Sequence, residues 1–318
     1  MLSVNRTAMP AVREMIGRRD ELGVAVAELE NGATCIDCGV HVPGSYRAGT
    51  LFVEICLAGL ATTAITMGRV GDVPVPFLHL TVSRPALACL GSQKAGWVLK
   101  AGNYSAMASG PARALSLKPK NTYKMLGYRD TSEIGILALE ADTLPDEEVT
   151  GFIAEKCGID PENLYVLVAP TRSIVGSVQI SGRVVTATLH KLEEKGYDVL
   201  RISHAAGWSP IAPVKKTGIE AMGATNDCNI YYGSVSLVAE GYDSVFSTLP
   251  SRTSPDYGRP FGRVLKDAGY DFLKIDSLLA FSPAEVTVND SESGKVCHFG
   301  GLNPGVLLES FGVLQNQV

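Results

Sequence analysis

The run Ile134-Gly135-Ile136-Leu137-Ala138-Leu139 and the run Leu164-Tyr165-Val166-Leu167-Val168 are short and apolar, and both read as buried strands. Between them, Pro145 opens a segment with Asp146, Glu147 and Glu148 in its first turn, where a helix dipole favours negative charge. Val149, Phe152, Ile153 and Cys157 keep a helical period, and Gly158 follows as a C-cap. Asp160-Pro161-Glu162-Asn163 then turns the chain into the second strand. This order predicts a parallel, right-handed β-α-β unit around residues 134–168. Glu140 follows the first strand at its carboxyl end, the side of a parallel sheet where ligands gather. A loop carboxylate with a basic partner explains the same residue.

Downstream, Ala169 to Arg183 reads Ala-Pro-Thr-Arg-Ser-Ile-Val-Gly-Ser-Val-Gln-Ile-Ser-Gly-Arg. Pro170 ends the strand, and Thr171, Ser173 and Ser177 place hydroxyls where a helix begins, a natural seat for an anionic group. Gly176 and Gly182 each cost a helix about 1 kcal/mol relative to Ala, so a close approach to the backbone is expected there. An ordinary capped strand-loop-helix corner fits the spacing equally well.

Working outward, one long helix is expected over Ile174 to Lys195, then a strand near Val199–Ile202, a Pro-rich loop at Pro210–Pro213 and a β-rich run at Ile230–Val238. The tail reads as a hairpin, Glu285–Val288 with Lys295–His298, followed by a helix capped by Asn303 and Pro304 and stopped at Gly312. Earlier in the chain, helices are expected near 6–18 and 48–60, with irregular Gly- and Pro-bearing segments between. The fold class is α/β (mixed α+β). A working division is an N-terminal α/β domain at 1–140 and a C-terminal one at 141–318, with interleaving possible.

Composition narrows the function classes. The 318 residues carry 46% hydrophobic and 19% charged residues with 33 glycines, as expected for a compact, loop-rich protein with a large core. A net charge of −5 and the lack of a long basic run argue against nucleic acid as a partner. The segment Leu51 to Ile65 carries Glu54 and is too short to span a bilayer, so it reads as a core helix, and no membrane association is expected. The start of the chain turns polar at once, and the seven cysteines have no regular spacing, which together suggest reduced thiols and a cytoplasmic protein. Cys35 and Cys38 form a lone Cys-x-x-Cys, and the five histidines lack ligand spacing, so no metal site is expected. Neither a dinucleotide glycine fingerprint, a phosphate loop nor a Gly-x-Ser-x-Gly elbow is present.

Other polar clusters are weaker. Ser109-Gly110-Pro111-Ala112-Arg113 suggests a second loop-to-helix start that could hold a phosphate or carboxylate. Gly91 to Trp97 sets Lys94 among small residues beside Trp97, which also suits a surface lysine. Gly223-Ala224-Thr225-Asn226-Asp227 reads as a polar turn.

Together these segments resemble the methenyltetrahydromethanopterin cyclohydrolases. The matching pieces are Glu30–Ala33 with Asp37–Val40, Gly91–Trp97, Ser109–Leu115, Leu139–Asp142 with Leu144–Glu147, Val168–Arg183, Pro210–Pro213, Thr225–Asp227, Tyr257–Phe261 and Leu308–Gly312, in family order. The resemblance implies reversible hydrolysis of 5,10-methenyl-tetrahydromethanopterin to the 5-formyl compound, an enzyme of archaeal one-carbon metabolism. It further implies two domains flanking a deep cleft, a homotrimer and no cofactor. Arg183 and Lys94 match family active-site positions. Substrate contacts are expected from Ser109, Gly110, Arg113, Thr171, Ser173, Ser177, Gln179, Thr225, Asn226 and Asp227, the two anion seats serving the phosphate and carboxylates of the pterin tail.

The chain departs from the commonest family pattern at Ala108, Arg172 and Ser282, with Arg172 adding a charge inside the expected anion seat, and at one position that bears on the chemistry. A Glu is expected three residues after Arg183, on the same helix face, where the pair would hold and deprotonate a water. Here Thr186 stands instead, and a hydroxyl cannot act as a base near neutral pH. One reading moves the base role to Glu140, keeping Arg183 and Lys94. The alternative is a pterin-binding paralogue with weak or altered activity. A third has the seats serve another phosphorylated cofactor, such as a folate or deazaflavin.

Overall fold

The computed structural model describes residues 2–270, 274–275, 279 and 282–313. In chain order the strands among them are β1 (Ala25–Glu28), β2 (Thr34–Asp37), β3 (Ala61–Val70), β4 (Val73–Ser83), β5 (Trp97–Ala101) and β6 (Tyr104–Ser109). They continue with β7 (Gly135–Glu140), β8 (Leu164–Val168), β9 (Ile202–Pro210), β10 (Ser234–Ala239), β11 (Glu285–Asp290) and β12 (Val296–Gly300). They form two six-stranded mixed sheets, ordered β1-β2-β8-β7-β6-β5 and β12-β11-β10-β9-β4-β3. The chain divides into two compact units, residues 1–63 with 82–179 and residues 64–81 with 180–318. Because β7 pairs with β8 from Gly135↔Leu164 to Leu139↔Val168, residues on both sides of position 140 share the first unit.

In the first unit β2, β8 and β7 run parallel, and their alternate residues feed two cores. Ile36, Cys38, Ile136, Ala138 and Leu167 pack with the helices Val4–Gly17 and Tyr46–Cys56. Cys35, Leu137, Leu139, Val166 and Val168 pack with the helix Glu147–Cys157. Each fully buried Leu or Ile contributes about 1.5–3 kcal/mol, which fixes the register of the β7–helix–β8 unit. Asp146 caps that helix by accepting from Val149 N, and Gly158 closes it at φ +69°.

The cysteine pair is structural. Cys35 and Cys38 are reduced and sit in opposite cores of one sheet, so they cannot bridge without moving backbone. Burial pushes the Cys35 thiol up to about 11 and raises Cys38 well above the usual thiol range. Among the described residues no group of three or more His, Cys, Asp or Glu could hold a metal ion.

In the second unit, β10 pairs antiparallel with β9 and parallel with β11, and β11 closes the expected hairpin with β12 through Val286↔Phe299 and Val288↔Cys297. The helices Val184–Glu194 and Gly218–Tyr232 pack on β9. The final helix, Pro304–Phe311, is capped by Asn303 and ended by Gly312 as expected.

Several expected elements differ. The helix expected near 48–60 ends at Cys56, because Ala58 and Gly59 adopt φ +60° and +66° and turn the chain into β3. Gly59 is required there: a Cβ would lie 2.2 Å from Thr7 O. The run Ile174–Lys195 is two helices, Ile174–Ser181 and Val184–Glu194, with Gly182 and Arg183 in the turn between. The strand expected near Val199–Ile202 begins only at Ile202, and Ile230–Tyr232 belong to a helix rather than to β10. Among the described residues no helix is long and apolar enough to cross a membrane.

Candidate active site

Glu140 ends β7, and the backbone ladder continues one step past β8 through Ala169 N to Leu139 O, which holds residues 170–173 beside it. Pro170, with no N–H to donate, ends the pairing. Thr171 Oγ1 donates to Glu140 Oε1 at 2.5 Å, and Gln179 Nε2 donates to Glu140 Oε2 at 3.1 Å. Each carboxylate oxygen thus receives one protein donor and keeps an acceptor lone pair. Thr171 and Gln179, both expected to bind substrate, gather around this carboxylate.

The corner that presents Thr171 is tightly built. Ser173 Oγ donates to Pro170 O at 2.8 Å and accepts from Gly176 N at 2.9 Å, so Ser173 serves as the cap of its helix. Gly176 meets the expected close approach, and the partner is the chain itself: a Cβ there would lie 2.1 Å from Pro170 O and 2.8 Å from Thr171 O. Gly39, at φ +151°, lies against Ser173, and the Asp37 carboxylate accepts from the amides of Gly39, Val40 and His41. Ser177 is buried in the same helix. Arg172 does not enter the seat; its Nε reaches Asp142 Oδ1 at 3.1 Å, with both side chains well exposed.

The second expected anion seat is a structural joint. Gly110 N donates to Ser92 O, and Ser109, at the end of β6, is buried. Arg113 is 0% exposed, and its guanidinium donates to the carbonyls of Leu90, Ser92 and Lys118, so the fork expected for substrate serves the backbone. Lys94 is half-buried and follows directly on the π-helix Ala86–Gln93, a widened turn of a kind concentrated at functional sites.

Arg183, half-buried, forms the break between the helices Ile174–Ser181 and Val184–Glu194. The break is pinned from several sides. Ile180 O accepts from Arg183 N at 3.0 Å and from Asn229 Nδ2 at 2.9 Å, while Ser181 Oγ donates to Pro210 O at 2.7 Å. Thr186 is buried in the first turn that follows, three positions on. Asn229, four residues after Thr225 on the helix Gly218–Tyr232, was not legible as a contact of this break, because Thr225–Asp227 read as a turn.

Thr225, Asn226 and Asp227 do not form a polar turn. They lie inside the helix Gly218–Tyr232, which opens with a reciprocal Thr217–Glu220 capping box. Thr225 Oγ1 donates to Ala221 O and Asn226 Nδ2 to Met222 O. Asp227 is fully buried and accepts from Phe261 N at 2.9 Å and from Ser310 Oγ at 2.5 Å. Three motif segments therefore meet at one carboxylate as structure. Likewise Asn31 Nδ2 donates to Glu147 O and Thr150 Oγ1, joining two further motif segments.

Burial pushes the Asp227 carboxyl up to about 7, with the Ser310 and Phe261 bonds opposing that rise. A carboxyl raised above its unfolded value binds an extra proton in the native state, so its contribution to stability falls as pH rises toward 7. Asp227→Asn removes the titrating proton. Urea midpoints at pH 5.5 and 8 are expected to differ less in this variant than in the wild-type chain. Equal differences would contradict the assignment.

The family described as cyclohydrolase (MCH) matches residues 3–311. A methenyltetrahydromethanopterin cyclohydrolase of Methanospirillum hungatei is 50% identical over 316 residues, covering 99% of this chain and 100% of the relative. One of Methanoculleus marisnigri is 46% identical over 99% of this chain and 100% of its own. One of Methanocaldococcus jannaschii is 48% identical over 98% of this chain and 99% of its own. On a match that runs nearly from end to end, this chain belongs to the cyclohydrolase (MCH) family.

Proposed function

We propose that this chain hydrolyses 5,10-methenyl-tetrahydromethanopterin to the 5-formyl derivative, reversibly, with Glu140 as base and Lys94 and Arg183 as cationic groups. The family and the names of its relatives support this substrate. The observation that carries the base assignment is the Glu140 carboxylate held through one oxygen by Thr171 and through the other by Gln179. Thr186 has no carboxylate to offer, whereas Glu140 combines an oriented acceptor with a position at the carboxyl ends of two parallel strands.

The methenyl carbon shares its positive charge between two nitrogens and is already electrophilic. Water adds through a new C–O bond while its proton passes to Glu140, giving a neutral hydroxyl adduct. Collapse forms the carbonyl as the hydroxyl gives up its proton. The bond to N10 breaks, and N10 takes up one proton, leaving the formyl group on N5. One water is consumed and one proton released. Lys94 and Arg183 are the cationic groups that the family resemblance assigns to the reaction, and one donor that stabilises oxygen as it gains negative charge is worth about 10²–10³ in kcat. The reading carries with it a cytoplasmic homotrimer that needs no prosthetic group, so chelators leave turnover unchanged.

Purified protein given the methenyl substrate is expected to bleach its absorbance far faster than buffer, and Arg183→Ala to slow this about a hundredfold. Tight pterin binding without turnover would overturn the reading in favour of a binding paralogue.

A further inference from the structure

The π-helix Ala86–Gln93 ends immediately before Lys94, whose N–H closes its last wide turn onto Cys89 O at 2.7 Å. A helix end leaves its final carbonyls without intrahelical partners, and a π turn, seldom stable alone, needs them met from outside. Three consecutive carbonyls are met here by side chains from one short stretch. Arg113 Nη1 donates to Ser92 O at 2.9 Å and to Leu90 O at 3.3 Å, and Tyr123 Oη donates to Gly91 O between them at 2.7 Å. The Arg113 guanidinium lies 5.9 Å from the centre of the Tyr123 ring.

The clamp continues on the far side of Lys94. A Cβ on Gly96 would lie 2.5 Å from Arg113 Nη2 and 2.6 Å from Pro119 Cδ, so Gly96 packs directly on the guanidinium. Arg113 Nε is fixed in turn by Lys118 O at 2.8 Å. Lys94 is therefore bracketed by backbone that Arg113 touches on both sides and Tyr123 holds on one. Burial pushes the Tyr123 phenol up to about 12, so it remains a donor throughout the working range.

We propose that Arg113 and Tyr123 are positioning residues that act through Lys94, setting its ammonium by fixing the π turn and Gly96 around it. The proposal rests on Lys94 having the cationic role given above, and its test separates the two ideas.

Tyr123→Phe deletes one hydroxyl and leaves the ring in its apolar cluster with Val4, Ala58 and Ala114, so the variant folds. Its kcat is expected to fall about tenfold to a hundredfold, the scale of a small misplacement of a reacting group, with KM nearly unchanged. In a Lys94→Ala background the same change should cost less than twofold, because the two act in series. Trace acetylation followed by mass spectrometry across pH gives a readout independent of turnover. The labelling profile of Lys94 should shift in Tyr123→Phe, while that of the exposed Lys156 should not.

Equal losses in both backgrounds, or an unmoved Lys94 profile, would overturn the proposal. Should the wild-type chain prove inactive, the labelling experiment still decides it. Arg113→Lys, which keeps the charge but not the fork, is expected to move the Lys94 profile further than Tyr123→Phe.

Discussion

Glu140→Gln is expected to lower kcat by about 10²–10⁴ while leaving substrate affinity and melting temperature near those of the wild-type chain. The amide keeps the shape of the carboxylate and can still accept from Thr171, so the corner at residues 170–173 retains its frame. What is lost is the ability to take the proton of the attacking water. Thr171→Val and Gln179→Leu keep the carboxylate but free one oxygen each, and smaller losses than that of Glu140→Gln are expected. Steady-state absorbance assays with the methenyl substrate check all three. Unchanged turnover in Glu140→Gln would remove Glu140 from the chemistry.

Gly176→Ala is the second large effect, and it acts on structure first. In an open helix, Ala is better than Gly by about 1 kcal/mol. Gly151 supplies that reference within the helix Glu147–Cys157, because the nearest atom to a Cβ there is 4.0 Å away. At Gly176 the new methyl would stand 2.1 Å from a rigid backbone carbonyl, so Pro170 and Thr171 must move. Overpacking of this kind costs about 1–3 kcal/mol, and displacing Thr171 loosens Glu140. Gly151→Ala should therefore raise the melting temperature, whereas Gly176→Ala should lower both melting temperature and kcat. A stabilised, fully active Gly176→Ala would show that the close approach does not matter.

How far the sequence could be read depended on whether local and tertiary demands agreed. The β7–helix–β8 unit was legible because its apolar runs, its acidic first turn and its Gly158 cap all report the same local structure. The hairpin β11–β12 and the last helix were legible for the same reason. The helix Gly218–Tyr232 was not: Gly223, Thr225, Asn226 and Asp227 are weak helix formers, and packing overrides their preference. A Cβ on Gly223 would lie 3.2 Å from Gly262 Cα, and Asp227 accepts from two other elements. β4 was hidden by Pro74 and Pro76, although Pro76 O still accepts from Ile211 N.

The break at Gly182–Arg183 was also invisible, since apolar helical spacing continues on both sides. Ile180 O and Ser181 Oγ fix it through contacts with residues distant in sequence. At the candidate site, the position of Glu140 could be read from the strand it ends, but its grip by Thr171 and Gln179 could not. Arg113 shows the converse error. A loop-to-helix start with an arginine reads as an anion seat, and only burial reveals that its donors are already occupied by carbonyls.

Hydrolysis in oxygen-18 water is the sharpest test. Mass spectrometry of the product should show a single heavy oxygen in the formyl group, appearing with first-order dependence on enzyme concentration and suppressed in Glu140→Gln. If label enters no faster with the wild-type chain than in buffer, water addition is not what this protein catalyses.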